Sequence, residues 1–246
     1  MTTYFSKCGA ILGVFVVMFI TTGKGVNAHS NELTQKKTQI NVGIYAPFSN
    51  ESAFIGRNML GAMELAYEQL KSPVVDYEFF TLDKLSNNIH QADLLQKFIE
   101  VHHINVLVTE GADSSALVAP LAQKNKLIHF CLTSEAINAD GKNTFRTQSP
   151  NHKSAAVLNR AKQPKFIAQF KREYFSHPIT EAGYAFDIFH LLNSSVVATM
   201  NNRTGFSSEA IAKQLLSLES GTGIMGLYHL DKKGVLYNKE TLVASK

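Results

Sequence analysis

A chain of 246 residues, 45% hydrophobic and 18% charged, has enough apolar material to bury a core of one or two lobes. Its 24 lysines and arginines against 20 aspartates and glutamates give a net charge of +4, and the basic residues cluster only in pairs such as Lys36–Lys37 and Lys232–Lys233. A nucleic-acid binder needs a concentrated basic face, so this composition argues against one.

The first 28 residues stand apart. A lysine precedes the apolar run "ILGVFVVMFI" (11–20), and "TTGKGVNA" ends in a small-x-small pattern. This reads as a secretory signal peptide (1–28) cleaved after Ala28, because the run is well short of the roughly 20 apolar residues a membrane span requires. Cleavage removes Lys7, Lys24 and no acid, which leaves 22 basic and 20 acidic residues and a net charge of +2. It also removes Cys8, so Cys131 is alone and no internal disulfide can form. Cys8 precedes the apolar core of the signal and is therefore not a lipidation site. Cys131 itself reads as a small buried hydrophobe, and the expected location is the periplasm.

After a polar leader (29–37), strands and helices alternate. "INVGIYA" (40–46) is apolar with little alternation, as in a strand covered on both faces. "AFIGRNMLGAMELAYEQL" (53–70) places Ile55, Met59, Met63, Ala66 and Leu70 at helical spacing. The pattern continues with a strand over 74–82, a helix over 88–102, a strand over 104–109, a helix over 114–125 and a strand over 126–131. Pro120 is expected to kink or shorten the helix that contains it. Beyond residue 150 the signals are helical, over 165–175, 181–200 and 207–218, and a hairpin turning at "DKKG" closes the chain. Strands separated by helices pair in parallel, so the N-terminal part is expected to be a doubly wound α/β lobe.

In such sheets ligands sit beyond the carboxyl ends of the strands. Two polar clusters fall at neighbouring exits: Asp113, Ser114 and Ser115 after the third strand, and Thr133, Ser134 and Glu135 after the fourth. The first also opens a helix, whose free N–H groups suit an anion. Ordinary N-capping would explain "DSS" equally well. Enzyme signatures are missing from the pattern: the chain has no GxSxG elbow, no P-loop and no GxGxxG after a strand. His102 and His103 lack zinc-ligand spacing and read as a solvated helix end. His129 reads as a hydrogen-bonded core residue, and Asp83 as a turn or cap before a catalytic carboxylate. No catalytic residue, metal site or cofactor is expected.

These residues, taken in order, resemble the leucine/isoleucine/valine-binding proteins, the type I periplasmic binding proteins of amino-acid ABC transporters. Pro47, Ser49, Ala53, Gly56, Gly61 and Ala66 match that family's opening strand, loop and helix. Asp83 matches the end of its second strand, and Phe145–Arg146 its lead into the crossover. Phe186–Asp187 is similar to an aromatic-Asp pair in a long late helix. Gly223, Gly226, Asp231 and Gly234 match its Gly-x-x-Gly…Asp-x-x-Gly hairpin. The family's ligand-binding serine falls on Asp113 or Ser114, depending on a one-residue gap, and its Ser-Pro after the fourth strand is replaced by Cys131-Leu132.

The resemblance implies a non-enzymatic solute receptor for a small polar ligand such as an amino acid, working with ABC permease subunits. Its ligand contacts would be Asp113, Ser114, Ser115, Thr133, Ser134, Glu135 and Ile55. One departure is large. Where the family has a whole second lobe, this chain has only "TQSPNHKSAAVLNRAKQP" (147–164), 18 residues, too few for a βαβ unit of roughly 30. The implied organisation is a first lobe (38–150), a shortened crossover (151–164), helices returning to that lobe (165–218), and a terminal hairpin (219–246) left as a remnant of the second lobe without its own sheet. The second lobe is then largely missing and ligand trapping is impaired. The alternative is a periplasmic protein-interaction module derived from such a receptor, or self-association through the exposed cleft face with its rim residues Phe54 and Ile55.

Overall fold

The computed structural model describes residues 37–84, 90–133, 138–147, 163–201, 206–218 and 220–238. The expected signal segment, nearly all of the leader, Ser134, Glu135 and residues 148–162, which include most of the expected crossover, lie outside the described residues. In chain order the elements are β1 (Thr38–Ala46), α1 (Ala53–Leu70), β2 (Val75–Asp83), α2 (Gln91–Val101), β3 (Val106–Glu110), α3 (Ala112–Asn125), β4 (Ile128–Leu132) and β5 (Thr144–Thr147). There follow α4 (Gln163–Tyr174), α5 (Thr180–Asn201), α6 (Ser208–Ser217), β6 (Ser220–Gly223), β7 (Gly226–Leu230) and β8 (Val235–Asn238).

The strands form one open sheet in the order β2-β1-β3-β4-β5-β8-β7-β6. From β2 through β8 every neighbouring pair is parallel. Only β7 runs against its two neighbours. The alternation of strand side chains assigns each face its own core. Ile40, Val42 and Ile44 of β1, Val106 and Val108 of β3, and Ile128 and Phe130 of β4 join the cluster that includes α1, α5 and α6. Tyr45 and Leu107 point the other way, into the cluster that includes α2 and α3. Because both faces are covered, β1 reads as an apolar run without polar alternation. Helix α5 has 14 buried residues in its 22. Its neighbours α1, α6 and β4, together with the β6–β7 turn, leave it little solvent face.

Three details depart from the sequence-based expectation. Helix α3 runs unbroken through Pro120. Pro120 and Ala116, whose carbonyl loses its partner to the proline ring, both face solvent, where water can satisfy that carbonyl. Strand β5 has only four residues, too short for a period to register. It is initiated by Asp140, whose carboxylate accepts the N–H groups of Lys142, Asn143 and Thr144 at 2.8–2.9 Å. The terminal hairpin does have a sheet: β8 pairs with β5 through Arg146–Val235 and Thr147–Leu236. It covers a β5 edge that would otherwise expose unpaired backbone groups. The turn at "DKKG" forms as expected, with Asp231 accepting the N–H groups of Lys233 and Val235.

A candidate half-site at the strand exits

The carboxyl ends of β1 through β4 emerge on one side of the sheet because these strands are parallel. Two backbone bonds tie adjacent exits together. Gly111 N–H donates to the Leu132 carbonyl at 3.1 Å, and Lys84 N–H to the Ala46 carbonyl at 2.9 Å. Asp83 holds the loop beyond β1 by accepting the N–H groups of Phe48 at 2.7 Å and Ser49 at 3.2 Å. Burial pushes the Asp83 carboxyl up, but the Ser49 hydroxyl and these two N–H donors outweigh it, holding the group below its ordinary value. Asp83 is therefore a loop anchor, as its position suggested. That loop also packs against α1, where a Cβ on Gly56 would stand 2.3 Å from the Pro47 carbonyl oxygen. Only glycine permits the approach.

The "DSS" cluster divides in three. Its members do not cap α3, since the N-cap is Gly111 and no side chain fills that role. Asp113 is exposed in the first turn, where its charge complements the helix dipole. Ser115 is fully buried and turned to the core. Its hydroxyl donates to the Gly111 carbonyl at 2.7 Å and also meets the Thr109 hydroxyl at 2.7 Å. Ser114 is only 2% exposed, and its hydroxyl has no hydrogen-bond partner among the described residues. A buried hydroxyl left unbonded is costly, and it stands at the N-terminus of a 14-residue helix.

The other expected contacts scatter. Thr133 is buried just past the end of β4, at the same set of exits. Ile55 is half-buried and packs on the main core, while Phe54 beside it is 53% exposed. Ser134 and Glu135 lie outside the described residues. Two residues that the sequence reading passed over also stand here. Lys84, one past the end of β2, has its ammonium 4.0 Å from the Glu110 carboxylate at the end of β3. The same ammonium reaches to within 3.4 Å of where a Gly111 Cβ would sit. Burial raises the Glu110 carboxyl; Lys84 opposes that rise, and the charge of Glu181 adds to it. Their position at parallel-strand exits was the signal that could have identified both. The arrangement thus offers a cation, a helix N-terminus and a buried hydroxyl for an anionic group, with a carboxylate nearby for a cationic one.

Gly111 adopts φ 80° and ψ 160°, a region open almost only to glycine. Gly111→Ala should cost about 1–3 kcal/mol of stability, measured by urea unfolding. A change within the ~0.5 kcal/mol usual for a surface substitution would mean that this backbone relaxes freely.

Elsewhere the sequence-based assignments meet their surroundings. Cys131 and His129 are both fully buried, with Thr109 Oγ1 2.9 Å from His129 Nε2 and the Cys131 sulfur 3.4 Å from the same nitrogen. Burial drives the thiol up to about 12 and the imidazole down to about 3, so both stay neutral. His102 is more than a solvated helix end, since its ring packs against Phe80 and Phe98 with centroids 4.5 and 5.1 Å away. Among the described residues no group of three His, Cys, Asp or Glu side chains is placed to hold a metal ion.

No protein-family profile and no curated protein matches the sequence. Solved structures do match in shape. The substrate-binding protein of a branched-chain amino acid transporter from Streptococcus pneumoniae, in complex with isoleucine, superposes with a TM-score of 0.61 at 11% identity, covering 82% of this chain and 94% of that one. A solute-binding protein of an ABC transporter from R. palustris, in complex with benzoate, gives 0.65 at 12% identity over 80% and 90%. A leucine-binding protein from Thermotoga maritima gives 0.60 at 11% over 79% and 92%. Identities this low speak to the fold alone, and the fold is that of a type I periplasmic-binding-protein lobe.

Proposed function

We infer that this chain is a secreted, non-catalytic solute-binding protein of the type that serves branched-chain amino acid ABC transporters. It contributes one lobe's half of a ligand site. The observation that carries this reading is the buried Ser114 hydroxyl at the start of α3, without a hydrogen-bond partner among the described residues and set at the shared exit of parallel strands. A ligand carboxylate would accept from Ser114 and from the first N–H groups of α3, with the Lys84 ammonium beside them. Thr133, Ser134 and Glu135 would approach from the exit of β4. Its periplasmic location and its work with permease subunits belong to the same reading, which draws support from the shape shared with transporter-associated binding proteins. Among the described residues no helix is long and apolar enough to cross a membrane.

The short crossover leaves this half-site without an opposing lobe to close on the ligand. A ligand held from one side keeps much of its surface in water, so hinge trapping is lost and affinity falls. Titration of the intact chain with leucine, isoleucine and valine, followed by amide chemical shifts, should show binding only near the millimolar range, about −4 kcal/mol. Ser114→Ala should remove it. Micromolar affinity would overturn the loss of trapping. Shifts that ignore Ser114 would overturn the site.

A second reading is a periplasmic interaction module with no small ligand. The observation in its favour is the exposure of Phe54 (53%) and Phe175 (93%). Phe175 follows Tyr174, which packs over Gly61 of the helix that carries Phe54. Apolar side chains so exposed are commonly covered by a partner or a second copy. A monomer by light scattering at high concentration, combined with millimolar amino-acid binding, favours the receptor.

A further inference from the structure

A cavity of about 500 Å³ lies between α4, α5 and the β6–β7 turn, within the range of small-molecule sites. It lies further along α1 and α5 than the strand exits. Helix α1 starts beside the loop that follows β1, where Gly56 bonds Pro47, and runs away from it along the sheet. The cavity touches α1 only at Gln69, in the last turn, where Gln69 and Gln169 share a 3.0 Å hydrogen bond.

Aromatic rings form part of its wall, beside polar side chains such as Gln69, Gln169 and Thr222. Phe166 and Phe186 are buried, with ring centroids 5.0 Å apart, and the His190 ring lies 4.6 Å from Phe186. Tyr228 closes another side. Burial, assisted by the charge of Asp187, raises its phenol to about 12, so it stays a neutral donor. The charges along the lining are unequal in what they offer. The two oxygens of Asp187 accept the Ile224 and Met225 N–H groups at 2.8 and 2.9 Å, so its charge is already met by donors. Lys165, exposed at the mouth, makes no ion pair among the described residues. Aromatic rings on part of the lining and a cation without an ion pair among the described residues suit an aromatic group that carries a single negative charge.

We propose that this cavity is a second binding site, separate from the strand-exit half-site, for small aromatic anions such as aryl carboxylates or sulfonates. The ring would insert between Phe166, Phe186 and Tyr228, with its anionic group at the Lys165 ammonium; Ser194, on the rim, donates its hydroxyl to the His190 carbonyl at 2.8 Å and only borders the mouth. The proposal does not depend on the amino-acid reading.

The probe is 8-anilinonaphthalene-1-sulfonate, titrated into the full chain and excited directly. Saturable binding with one site per chain is expected. Lys165→Ala should weaken it about tenfold, the worth of one charge-assisted hydrogen bond. Ser194→Trp, an exposed position on the rim, should block it by filling the mouth. Both variants change solvent-facing residues, and unchanged far-UV circular dichroism verifies their fold. Ser114→Ala should leave probe affinity as it was. Non-saturable binding, equal affinity in the Lys165 and Ser194 variants, or loss on Ser114→Ala would each overturn the proposal.

Discussion

Replacing Asp187 with alanine should cost about 3–4 kcal/mol, because it strips a buried carboxylate from two backbone donors and leaves both N–H groups without their acceptor. Asp187 is 3% exposed, so water has little access to replace it. The consequence is structural. The bonds from Ile224 and Met225 fasten the β6–β7 turn to α5, and β7 in turn pairs with β8, the strand that covers β5. For a chain of this length the loss should appear as a drop of roughly 10 °C in Tm, with the cooperative unit smaller if the hairpin detaches first. Asp187→Asn keeps one acceptor oxygen and should lose about half as much. An Asp187→Ala protein as stable as the wild type would mean that the turn is held by its own strand pairing.

Acid should destabilise this protein through His129 well before most carboxylates titrate. The imidazole is fully buried against Thr109, and burial lowers its folded pKa to about 3, with the Asp140 charge opposing only in part. The unfolded chain has an ordinary histidine near 6.5. Between these values the unfolded state binds a proton that the folded state refuses, so stability is full above pH 6.5 and falls as pH drops toward 3. The slope is about 1.4 kcal/mol per pH unit, or about 2 kcal/mol lost by pH 5. Urea unfolding at pH 7 and pH 5 measures it, with His129→Gln as the reference that lacks the ionisation. If wild type and variant lose the same stability over that interval, the imidazole is not sequestered from protons.

Both predictions concern residues whose neighbourhood the sequence described only in part. His129 was recognisable as a core histidine because it sits within the apolar run "LIHFC". Its partners Thr109 and Thr144 were not, nor was Ser115, which meets Thr109; these three come from other elements that only the sheet register and the placing of α3 bring together. Asp187 stood out as half of an aromatic-Asp pair, yet its task is set by a turn 37 residues further on. The same limit governed "DSS". Sequence placed all three residues at a strand exit, but the hundred-degree step of the helix decides which one faces the core and which faces water. Ser115 turns to the Thr109 network, Asp113 turns to solvent, and Ser114 is left buried without a hydrogen-bond partner among the described residues.

What the sequence determined by itself was whatever a local period or a punctuating residue can encode: the helices, the longer strands, the parallel α/β class and the "DKKG" turn. These follow from side-chain spacing along one element, which needs no knowledge of its neighbours. The four-residue β5, the pairing of β8 with it, the Lys84–Glu110 pair and the cavity beside α4 were decided only by tertiary structure. Each depends on groups far apart in the chain meeting in space, and no period in the sequence records that distance.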